Sequence, residues 1–423
     1  MSEHFAYTGA KLYCEGVSAE RLVHDFGTPL YVYSRATVEE RYRAFDSAFE
    51  PLDRLIAYSV KANGNLSLLR LLSELGAGAD IVSGGDLFRA RTAGIAPERI
   101  VFSGVGKTVT ELAAGLEAGI YGFNVESEGE LRALDELAQT MGLRAPIALR
   151  VNPDIESPTP HAYTRTGHKA TKFGIPYEDA ARLYHVAARM RGIEVRGIDV
   201  HIGSQILDAE PYRQALLRIL ELVDRLRAAG IALEYLDMGG GFGVAYGEDG
   251  DHPDASEFAA RLVPEIRTAG LRLLLEPGRF IVGPAGVLLT RVLYVKEMGG
   301  KTFVITDAGM NDLLRPSHYS SYHGVAGAEL YENRERIEVD VVGPICESGD
   351  FLALDRPMDR PEPGELLVVR TVGAYGFSMA SQYNARTRPA EVLVDGESAR
   401  LIRRRETYDD LVRGEIELLD GSC

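Results

Sequence analysis

The chain has 423 residues, which is too long for one ordinary hydrophobic core and predicts two domains. Its formal net charge of −16 argues against nucleic acid or an anionic membrane as the main partner. The three cysteines (Cys14, Cys346 and Cys423) are too few and too far apart for a disulfide framework or a metal cluster. No stretch approaches the roughly 20 apolar residues of a membrane span, and the N-terminus leads into no apolar signal segment. These observations predict a cytoplasmic protein with no metal site.

Residues 1–30 precede any regular pattern, and we expect them to pack outside the repeat that follows, with the β-rich end of the chain. From the apolar run at 30–33 onward, short apolar runs alternate with segments of helical spacing. We predict strands at 55–58, 79–82, 100–102, 121–125, 147–151, 197–200, 235–238 and 273–275. Amphipathic helices are predicted between them, for example at 66–75, 110–118, 128–141, 212–229 and 256–269.

Alternation of strand and helix, repeated eight times, predicts a parallel (β/α)8 barrel of the TIM type over residues 31–286. A doubly wound sheet is the alternative, but such sheets usually stop at five or six strands. After Arg279 the sequence pattern changes to short runs of strand-forming residues separated by glycine and proline. Residues 287–423 are therefore predicted to form an all-β barrel or sandwich domain.

Active sites in this fold lie at the C-terminal ends of the barrel strands. A lysine follows the first predicted strand, in the sequence YSVKAN at 58–63. Lys61 has two interpretations. A lone lysine is most often solvated in a loop, whereas a Schiff-base lysine must be held in a pocket and partly desolvated.

Glycine-rich loops follow the seventh and eighth strands, with GGGFG at 239–243 and EPGR at 276–279. Glycine lets the backbone approach a phosphate with its N–H groups pointing inward, and barrels often bind phosphate after these two strands. A glycine run alone is usually only a turn. Together with a Schiff-base lysine, the two loops suggest pyridoxal phosphate as the cofactor.

Two further strand-end residues suit that cofactor. A carboxylate at Glu276 would keep the ring nitrogen protonated, although an ion pair with Arg279 is the structural alternative. The imidazole of His201 could stack on a flat ring, and Ser204 could bond a phosphate oxygen. A hydrogen-bonded core histidine is the structural alternative for His201.

At this point the residues resemble, nearly end to end, the diaminopimelate decarboxylase family, in the alanine-racemase-like (fold type III) class of pyridoxal-phosphate enzymes. In the barrel, the matching stretches are YSVKAN at 58–63, GAGAD at 76–80, VSGG at 82–85, FSGVGK at 102–107, FNVES at 123–127, RVNPD at 150–154, KFGI at 172–175, HIGSQ at 201–205 and the glycine loop. Later in the chain they are DAGMNDLLRP at 307–316, CESGD at 346–350 and GAYGFS at 373–378.

The resemblance implies a role for individual residues. It implies that Lys61 is the Schiff-base lysine, that His201 stacks on the ring, and that Glu276 holds the ring nitrogen. The phosphate would be surrounded by Ser204, Gly241, Pro277, Gly278 and Arg279. Substrate carboxylates would be bound by Arg279, Arg315 and Tyr319, the distal amino group by Glu347, and both cofactor and substrate would contact Tyr375. The resemblance also implies that Cys346 is the proton donor and reaches the partner subunit's site across a homodimer.

The implied reaction is decarboxylation of meso-2,6-diaminopimelate at its D-centre to L-lysine and CO2, the last step of lysine biosynthesis. Two arginines suit a small-molecule substrate with two carboxylates, because the guanidinium fork matches that group. Cys346 would otherwise be a buried small hydrophobe, as most lone cysteines are. Its neighbours Glu347, Ser348 and Gly349 favour an exposed turn instead. Cys14 and Cys423 are given the ordinary structural role, and the loop at 161–167 departs from the family pattern and is given none.

Three alternatives remain open on the sequence. The first is a relative acting on ornithine, arginine, carboxynorspermidine or an acyl-carrier-tethered amino acid. The second is a racemase of the same class, which needs two acid–base groups on opposite faces of the ring. The third is a decarboxylase-like regulator without activity, against which the presence of both Lys61 and Cys346 argues.

Overall fold

The computed structural model describes residues 4–155, 171–247 and 254–419. The loop at 161–167 and Cys423 lie outside them. The chain divides into two compact units. The barrel unit comprises the described residues of Arg41–Val244 and Asp251–Phe280, and the β unit comprises those of Met1–Glu40, Ala245–Gly250 and Ile281–Cys423.

The elements that precede the barrel strands are β1 (Phe5–Thr8), β2 (Lys11–Cys14), β3 (Val17–Ser18), α1 (Ala19–Phe26), β4 (Leu30–Ser34) and α2 (Arg35–Ala48). The barrel strands are β5 (Arg54–Ser59), β6 (Gly78–Ile81), β7 (Ile100–Phe102), β8 (Gly122–Val125), β9 (Ala145–Asn152), β11 (Ile193–Asp199), β12 (Tyr235–Asp237) and β13 (Arg272–Leu275), with the short β10 (Ile175–Pro176) paired beside β9. The helices between them are α3 (Leu66–Glu74), α4 (Gly84–Thr92), α5 (Val109–Ala118), α6 (Glu128–Met141), α7 (Tyr177–Ala187), α8 (Glu210–Ala228) and α9 (Ala255–Ala269).

The barrel strands pair in parallel and close on themselves, since β13 pairs with β5 and β8 pairs with β9. Each predicted strand overlaps an observed one, so the predicted (β/α)8 barrel is confirmed. The strands read as nearly continuous apolar runs because both faces of a parallel sheet are covered. Local signals fix the starts of the helices. For example, Ser83 and Ser127 cap α4 and α6, and Thr108 forms a capping box with Glu111 at α5.

Tyr235 fills the interior of the barrel toward the N-terminal ends of the strands. Its fully buried ring packs in a cluster with Leu55, Tyr121, Ala148 and Leu274, among others. The space for this ring exists because β11 has a glycine opposite it. A Cβ at Gly197 would lie 2.4 Å from the Tyr235 ring. This packed end is therefore a core, and polar groups are concentrated at the opposite end of the strands.

The elements after the barrel are α10 (Arg279–Val282), β14 (Gly286–Met298), β15 (Lys301–Thr306), α11 (Arg315–Tyr319), β16 (Val325–Gly327), β17 (Arg336–Val342), β18 (Phe351–Asp359), β19 (Leu366–Val369), β20 (Ala390–Asp395), β21 (Ser398–Arg403) and α12 (Tyr408–Val412). Most of these strands form one mixed sheet in the order β18-β17-β15-β14-β4-β20-β21. β19 pairs with both β14 and β16. The predicted β-rich domain is thus present as a sheet built around the long strand β14.

The N-terminal segment contributes to this sheet and its core. β4 lies between β14 and β20, antiparallel to the first and parallel to the second. Phe5, Leu12 and Leu22 are buried in one cluster with Val287 and Val392. The predicted start of the barrel domain at residue 31 therefore differs from the structure, in which the barrel unit starts at Arg41. The apolar run at 30–33 identifies a strand, but not the sheet in which it pairs.

Strand β18 was not predicted from the sequence. It contains a left-handed residue, Asp355 (φ 45°), and a proline two residues later, Pro357, and its pairing with β17 shifts register. These irregularities remove the two-residue alternation by which strands are recognised. Within the described part of the chain, no helix is both long and apolar enough to cross a membrane.

Candidate active site

Lys61 lies in a single 3-10 turn (Val60–Ala62) that directly follows β5. Its Nζ donates a hydrogen bond to Asp80 Oδ2 on the neighbouring strand β6. The register pairs Ser59 with Asp80, and the Ser59 hydroxyl lies 2.7 Å from the same carboxylate oxygen. The Lys61 side chain is 36% exposed, whereas that of Asp80 is completely buried. The lysine is thus partly desolvated, as expected for a Schiff-base lysine, and a buried counter-ion holds it in place.

A row of charged residues crosses the barrel at the same height. The strand register places Arg150 beside Asp199, and Asp199 beside Asp237. Glu276 follows β13, and one carboxylate oxygen each of Asp199, Asp237 and Glu276 lies within 4.8 Å of the other two. All of these side chains are buried. The carboxyl layer, defined as Asp199, Asp237 and Glu276, therefore concentrates negative charge where water does not screen it.

Asn124 on β8 joins two members of the carboxyl layer. Its Nδ2 lies 3.2 Å from Asp237 Oδ2 and 3.4 Å from Glu276 Oε1. Ser103 donates from Oγ to the same Glu276 oxygen at 3.2 Å. The second oxygen of Asp237 accepts from the Gly239 N–H at 2.9 Å. Glu276 and Asp237 are therefore held in fixed orientations by neutral donors.

The pKa values of these carboxyls are raised because burial disfavours the charged form. Burial, then Asp199, raises the pKa of Asp237 to about 7. Burial, then Asp237 and Asp80, raises the pKa of Glu276 well above its usual range, against the opposing effect of Lys61 and Arg150. The groups interact closely, so they take up and release protons as a set.

Arg150 supplies the positive charge beside the layer. Its Nη1 donates to Glu126 Oε1 at 2.7 Å, and its Nε lies 3.8 Å from Asp199 Oδ2. The second Glu126 oxygen accepts from the Gly174 N–H at 2.8 Å. Burial of both charges is offset by this pairing. The guanidinium is thus fixed between the ends of β8, β9 and β11.

His201 follows the strand β11 by two residues and meets the glycine loop that follows β12. The Gly240 N–H donates to His201 Nδ1 at 3.1 Å, which leaves the proton of the neutral ring on Nε2. Burial, then the charges of Arg150 and Lys61, lowers the pKa of His201 well below its usual value. The ring is therefore a neutral, oriented imidazole at neutral pH.

The glycine loop packs too closely for a side chain at each of its four glycines, and most closely at Gly240 and Gly241. A Cβ at Gly240 would lie 2.2 Å from the carbonyl oxygen of Glu276. Gly241 has φ +93°, and its Cβ would lie 2.2 Å from the carbonyl oxygen of Gly203. Hydrogen bonds from Ile206 N to Gly241 O, and from Gly243 N to Ile206 O, both 2.9 Å, join this loop to the loop after β11. The two loops form one backbone surface.

Ser204 and Arg279 come together beside that surface. Arg279 Nη2 donates to Ser204 Oγ at 3.2 Å, so the hydroxyl proton of Ser204 remains available for another acceptor. Gly278, between Pro277 and Arg279, faces Ser59 and Ala62, where a Cβ would come within 2.9 Å of both. Arg279 is 7% exposed. A buried arginine, a free hydroxyl proton and closely packed glycine loops together suit a phosphate.

The remaining predicted residues belong to the β unit. Arg315, at the start of α11, donates from Nε to His323 Nε2 at 3.3 Å, and from Nη2 to Ser321 Oγ at 3.3 Å. Its guanidinium lies 5.0 Å from the Tyr246 ring centre and 5.9 Å from that of Tyr319. The buried His323 ring bonds the Arg370 carbonyl oxygen through Nδ1, which makes Nε2 the acceptor for Arg315. The guanidinium is therefore oriented by an aromatic and imidazole frame.

Cys346 lies in the loop between β17 and β18 and is exposed. Its backbone N–H donates to Asn384 Oδ1 at 2.8 Å, while Glu347 accepts from the Tyr383 hydroxyl at 2.8 Å. The Asp350 carboxylate fixes the loop by accepting hydrogen bonds from the backbone N–H groups of Ile345 and Met310, at 2.6 Å each. The exposure expected for Cys346 is observed. Cys14, by contrast, is buried, and burial raises the pKa of its thiol.

Tyr375 has a left-handed backbone (φ 56°) in a turn where glycines sit on both sides. A Cβ at Gly373 would lie 1.8 Å from the Val282 carbonyl oxygen, and one at Gly376 2.4 Å from that of Val372. The crowded backbone forces the turn and presents a half-buried tyrosine at its centre.

Several residues of these arrangements were not assigned a role from the sequence. They are Asp80, Asn124, Arg150, Asp199 and Asp237 in the barrel unit, and His323, Asp350 and Asn384 in the β unit. The available signal was an ionisable residue inside an otherwise apolar strand, such as Asp199 within GIDV at 197–200. Such residues are buried only when paired or functional.

A family model described as the pyridoxal-binding domain of pyridoxal-dependent decarboxylases matches residues 35–283. A diaminopimelate decarboxylase of Aquifex aeolicus is 48% identical over 415 residues, which is 98% of each chain. One from Neisseria meningitidis serogroup B is 49% identical over 410 residues, covering 97% of this chain and 98% of the relative. This chain belongs to the diaminopimelate decarboxylase family. The predicted resemblance is confirmed, and the chain is a pyridoxal-phosphate-dependent decarboxylase.

Solved structures of the family have the same fold. The diaminopimelate decarboxylase of Helicobacter pylori, complexed with L-lysine, has a TM-score of 0.91 and 41% identity, over 95% of this chain and 100% of that one. That of M. jannaschii, in co-complex with L-lysine, has a TM-score of 0.93 and 37% identity, over 98% of each chain.

The barrel residues fit the cofactor of the family, pyridoxal 5'-phosphate. Asp80 Oδ1 is buried without a hydrogen-bond partner among the described residues, although the other oxygen holds Lys61. The glycine loops have no side chains at their closely packed positions, so backbone is present where side chains would otherwise lie. A lysine amine, a neutral imidazole and a buried carboxyl at three strand ends provide the groups that a carbonyl, an aromatic ring and a pyridine nitrogen need.

Proposed function

We propose that this enzyme converts meso-2,6-diaminopimelate to L-lysine and CO2, in the last step of lysine biosynthesis. Similarity over nearly the whole chain to two relatives that are complexed with L-lysine carries the proposal. L-lysine is the expected product when diaminopimelate loses one carboxylate. The cytoplasmic location expected from the sequence stays a prediction.

We assign to Lys61 the amine that binds the cofactor's carbonyl group. Its ion pair with Asp80 supports this assignment, because the buried carboxylate keeps the lysine at the end of β5. Asp80 would also hold the protonated amine in place whenever substrate takes the lysine's position. The Ser59 hydroxyl, 2.7 Å from the same oxygen, fixes the orientation of that carboxylate.

Glu276 and His201 would hold the ring of the cofactor. Glu276 is buried, and Ser103 and Asn124 fix its orientation. Its carboxylate can therefore accept a hydrogen bond from the protonated ring nitrogen. His201 is neutral and oriented by Gly240, which suits stacking on a flat ring. Bound pyridoxal phosphate supplies an electron sink for the bonding electrons left by the departing carboxylate.

The phosphate would be held by Ser204, Gly241, Gly278 and Arg279, with Pro277 shaping the second loop. The hydrogen bond from Arg279 to Ser204 supports this role, because it leaves the serine proton free to be donated. Backbone N–H groups of closely packed glycine loops suit a phosphate dianion.

Substrate groups are assigned to charged residues of opposite sign. Arg279, Arg315 and Tyr319 would bind carboxylates, and Glu347 would bind the distal ammonium group. The fork of Arg315 is oriented by His323 and Ser321, which prepares it for bidentate binding. Tyr375 would contact both cofactor and substrate from its constrained turn.

Cys346 is assigned as the donor of the proton that replaces the lost carboxylate on the substrate carbon. We propose that it serves the site of the partner subunit in a homodimer. Its exposure and the hydrogen bond from its backbone to Asn384 support a thiol presented outward by an ordered loop.

The proposed substrate is tested by measuring CO2 release from meso-diaminopimelate, ornithine, arginine and lysine, with and without added pyridoxal phosphate. We expect release from meso-diaminopimelate alone, with L-lysine as the product. Activity on ornithine without activity on diaminopimelate would contradict the proposal, and formation of D-amino acids without CO2 would favour a racemase.

A further inference from the structure

Asp199 is the least satisfied member of the carboxyl layer. The residue is 2% exposed, and its Oδ1 has no hydrogen-bond partner in the described part of the chain. Its other oxygen lies 3.8 Å from Arg150 Nε, which is too long for a hydrogen bond. Arg150 instead donates to Glu126 at 2.7 Å. A carboxylate anion in this position would be poorly compensated.

The other two members of the layer have donors suited to an anion. Asp237 accepts from the Gly239 N–H with one oxygen and from Asn124 with the other. Glu276 Oε1 accepts from Ser103 and lies near the same Asn124 amide. Hydrogen bonds to a carboxylate favour its charged form. A proton shared by the three carboxyls is therefore best placed on Asp199.

The charges around Asp199 reinforce this distribution. Positive charge comes from Arg150 on β9, and Lys61 acts on Glu276. Several acidic and phenolic groups interact electrostatically with Asp199. They come from several elements of the barrel and are Asp80, Glu126, Tyr184, Tyr235, Asp237 and Glu276. The acids outnumber the cations, so full ionisation of the layer would be strongly unfavourable.

We propose that Asp199 is a positioning residue that carries a proton in the folded protein and thereby leaves Glu276, together with Asp237, to carry the negative charge of the layer. As a neutral acid, Asp199 removes one negative charge from beside Glu276 without removing the side chain that fills the barrel. The role of Glu276 toward the cofactor ring rests on the proposed function, whereas the protonation of Asp199 does not.

The test compares the wild type with Asp199→Asn, in which a neutral amide replaces the carboxylic acid. Thermal unfolding of the cofactor-free protein is measured from about pH 5 to about pH 8. A carboxyl that keeps its proton on folding contributes stability that is present at low pH and is lost as the pH rises through its folded pKa. The Asn variant should therefore gain stability relative to wild type as the pH rises, and its affinity for pyridoxal phosphate at pH 7 should stay within about threefold of wild type.

Asp237→Asn is the matched control, because both Asp237 oxygens accept hydrogen bonds and an amide would face an N–H donor. This variant should bind pyridoxal phosphate about tenfold or more weakly. A constant stability difference between wild type and the Asp199→Asn variant at all pH values, or a variant that fails to fold, would overturn the proposal. As a second measurement, infrared spectra of the wild type at pH 7 should show a carboxylic-acid C=O band that Asp199→Asn removes, and its absence would equally contradict the proposal. Neither the unfolding nor the infrared measurement uses the substrate or the cofactor, so failure of the proposed function leaves both interpretable.

Discussion

Lys61 and Asp80 illustrate how single residues of the barrel depend on one another. The Asp80 carboxylate is completely buried, and Lys61 and Ser59 are the donors to its Oδ2. Removing one partner of such a pair leaves an uncompensated buried charge, at a typical cost of about 3–5 kcal/mol. The exposed fraction of Lys61, 36%, reduces that cost because water partly replaces the partner. The pair thus orients the lysine more than it stabilises the fold.

Cys346 provides the residue-scale test of the proposed chemistry. Replacing Cys346 with Ala should lower kcat by about 10²–10⁴-fold, the usual contribution of a general acid. Affinity for pyridoxal phosphate should be unchanged, because the groups assigned to the cofactor do not include the thiol. The measurements are steady-state CO2 release and cofactor titration.

The control is Cys14→Ala, which removes a thiol that is buried in the β unit and has no proposed role. Near-normal turnover of the Cys346→Ala enzyme would show that the exposed thiol is not the proton donor. An equal loss in the Cys14 variant would show that the effect is structural.

At the scale of elements, strand register brings the buried charged groups of the barrel together. Arg150, Asp199 and Asp237 are far apart in sequence and become neighbours because β9, β11 and β12 pair in parallel at matching heights. The loops then add Glu276 and Lys61 to the same end of the barrel. The backbone hydrogen bonds between paired strands therefore fix the positions of these charged residues, and the interactions between the charges do not.

The glycine loop after β12 is predicted to be intolerant of side chains. Gly241→Ala should weaken pyridoxal phosphate binding by about tenfold or more, because the residue has φ +93° and its Cβ would lie 2.2 Å from a carbonyl oxygen. Cofactor titration by absorbance measures the change.

Gly106→Ala serves as the control for this loop. Gly106 also follows a barrel strand, but no atom lies within 4 Å of its Cβ position. The Gly106→Ala substitution should change the free energy of unfolding by no more than about 0.5 kcal/mol. Equal cofactor affinity of the Gly241 variant and wild type would argue against a phosphate at this loop.

The sequence predicts some elements much better than others. The barrel strands and several helices were located to within a few residues, because buried strands and amphipathic helices have distinct periods. Strand β18 was missed because Asp355 and a register shift break its alternation. The sheet that contains β4 could not be inferred, since its partners β14 and β20 lie about 250 and 360 residues later.

For the whole molecule, function is easier to predict from the sequence than the contacts between buried side chains are. Strand-end positions and family motifs predict roles for Lys61, His201 and Glu276, whereas the proximity of Asp199 and Asp237 emerged only from strand pairing. The net charge of −16 is compatible with a substrate that carries carboxylate groups, since Arg279 and Arg315 provide locally positive groups. Net charge therefore describes the molecule as a whole and not its site.

The proposed homodimer with shared sites makes a whole-molecule prediction. Lys61→Ala and Cys346→Ala variants should each be inactive, but a mixture allowed to exchange subunits should recover activity. If each site combines Lys61 of one subunit with Cys346 of the other, half the dimers carry one intact site of two, so recovery should approach about a quarter of wild-type activity. Sedimentation measures assembly and CO2 release measures activity. Dimers that exchange without recovering activity would contradict shared sites.

The attachment of the cofactor to Lys61 is the central claim, and borohydride reduction of the holoenzyme followed by peptide mass spectrometry tests it most directly. We predict that reduction fixes the cofactor on the peptide containing Lys61, and that Lys61→Ala abolishes the adduct. An adduct on another lysine, or one that survives in the Lys61→Ala protein, would contradict the account.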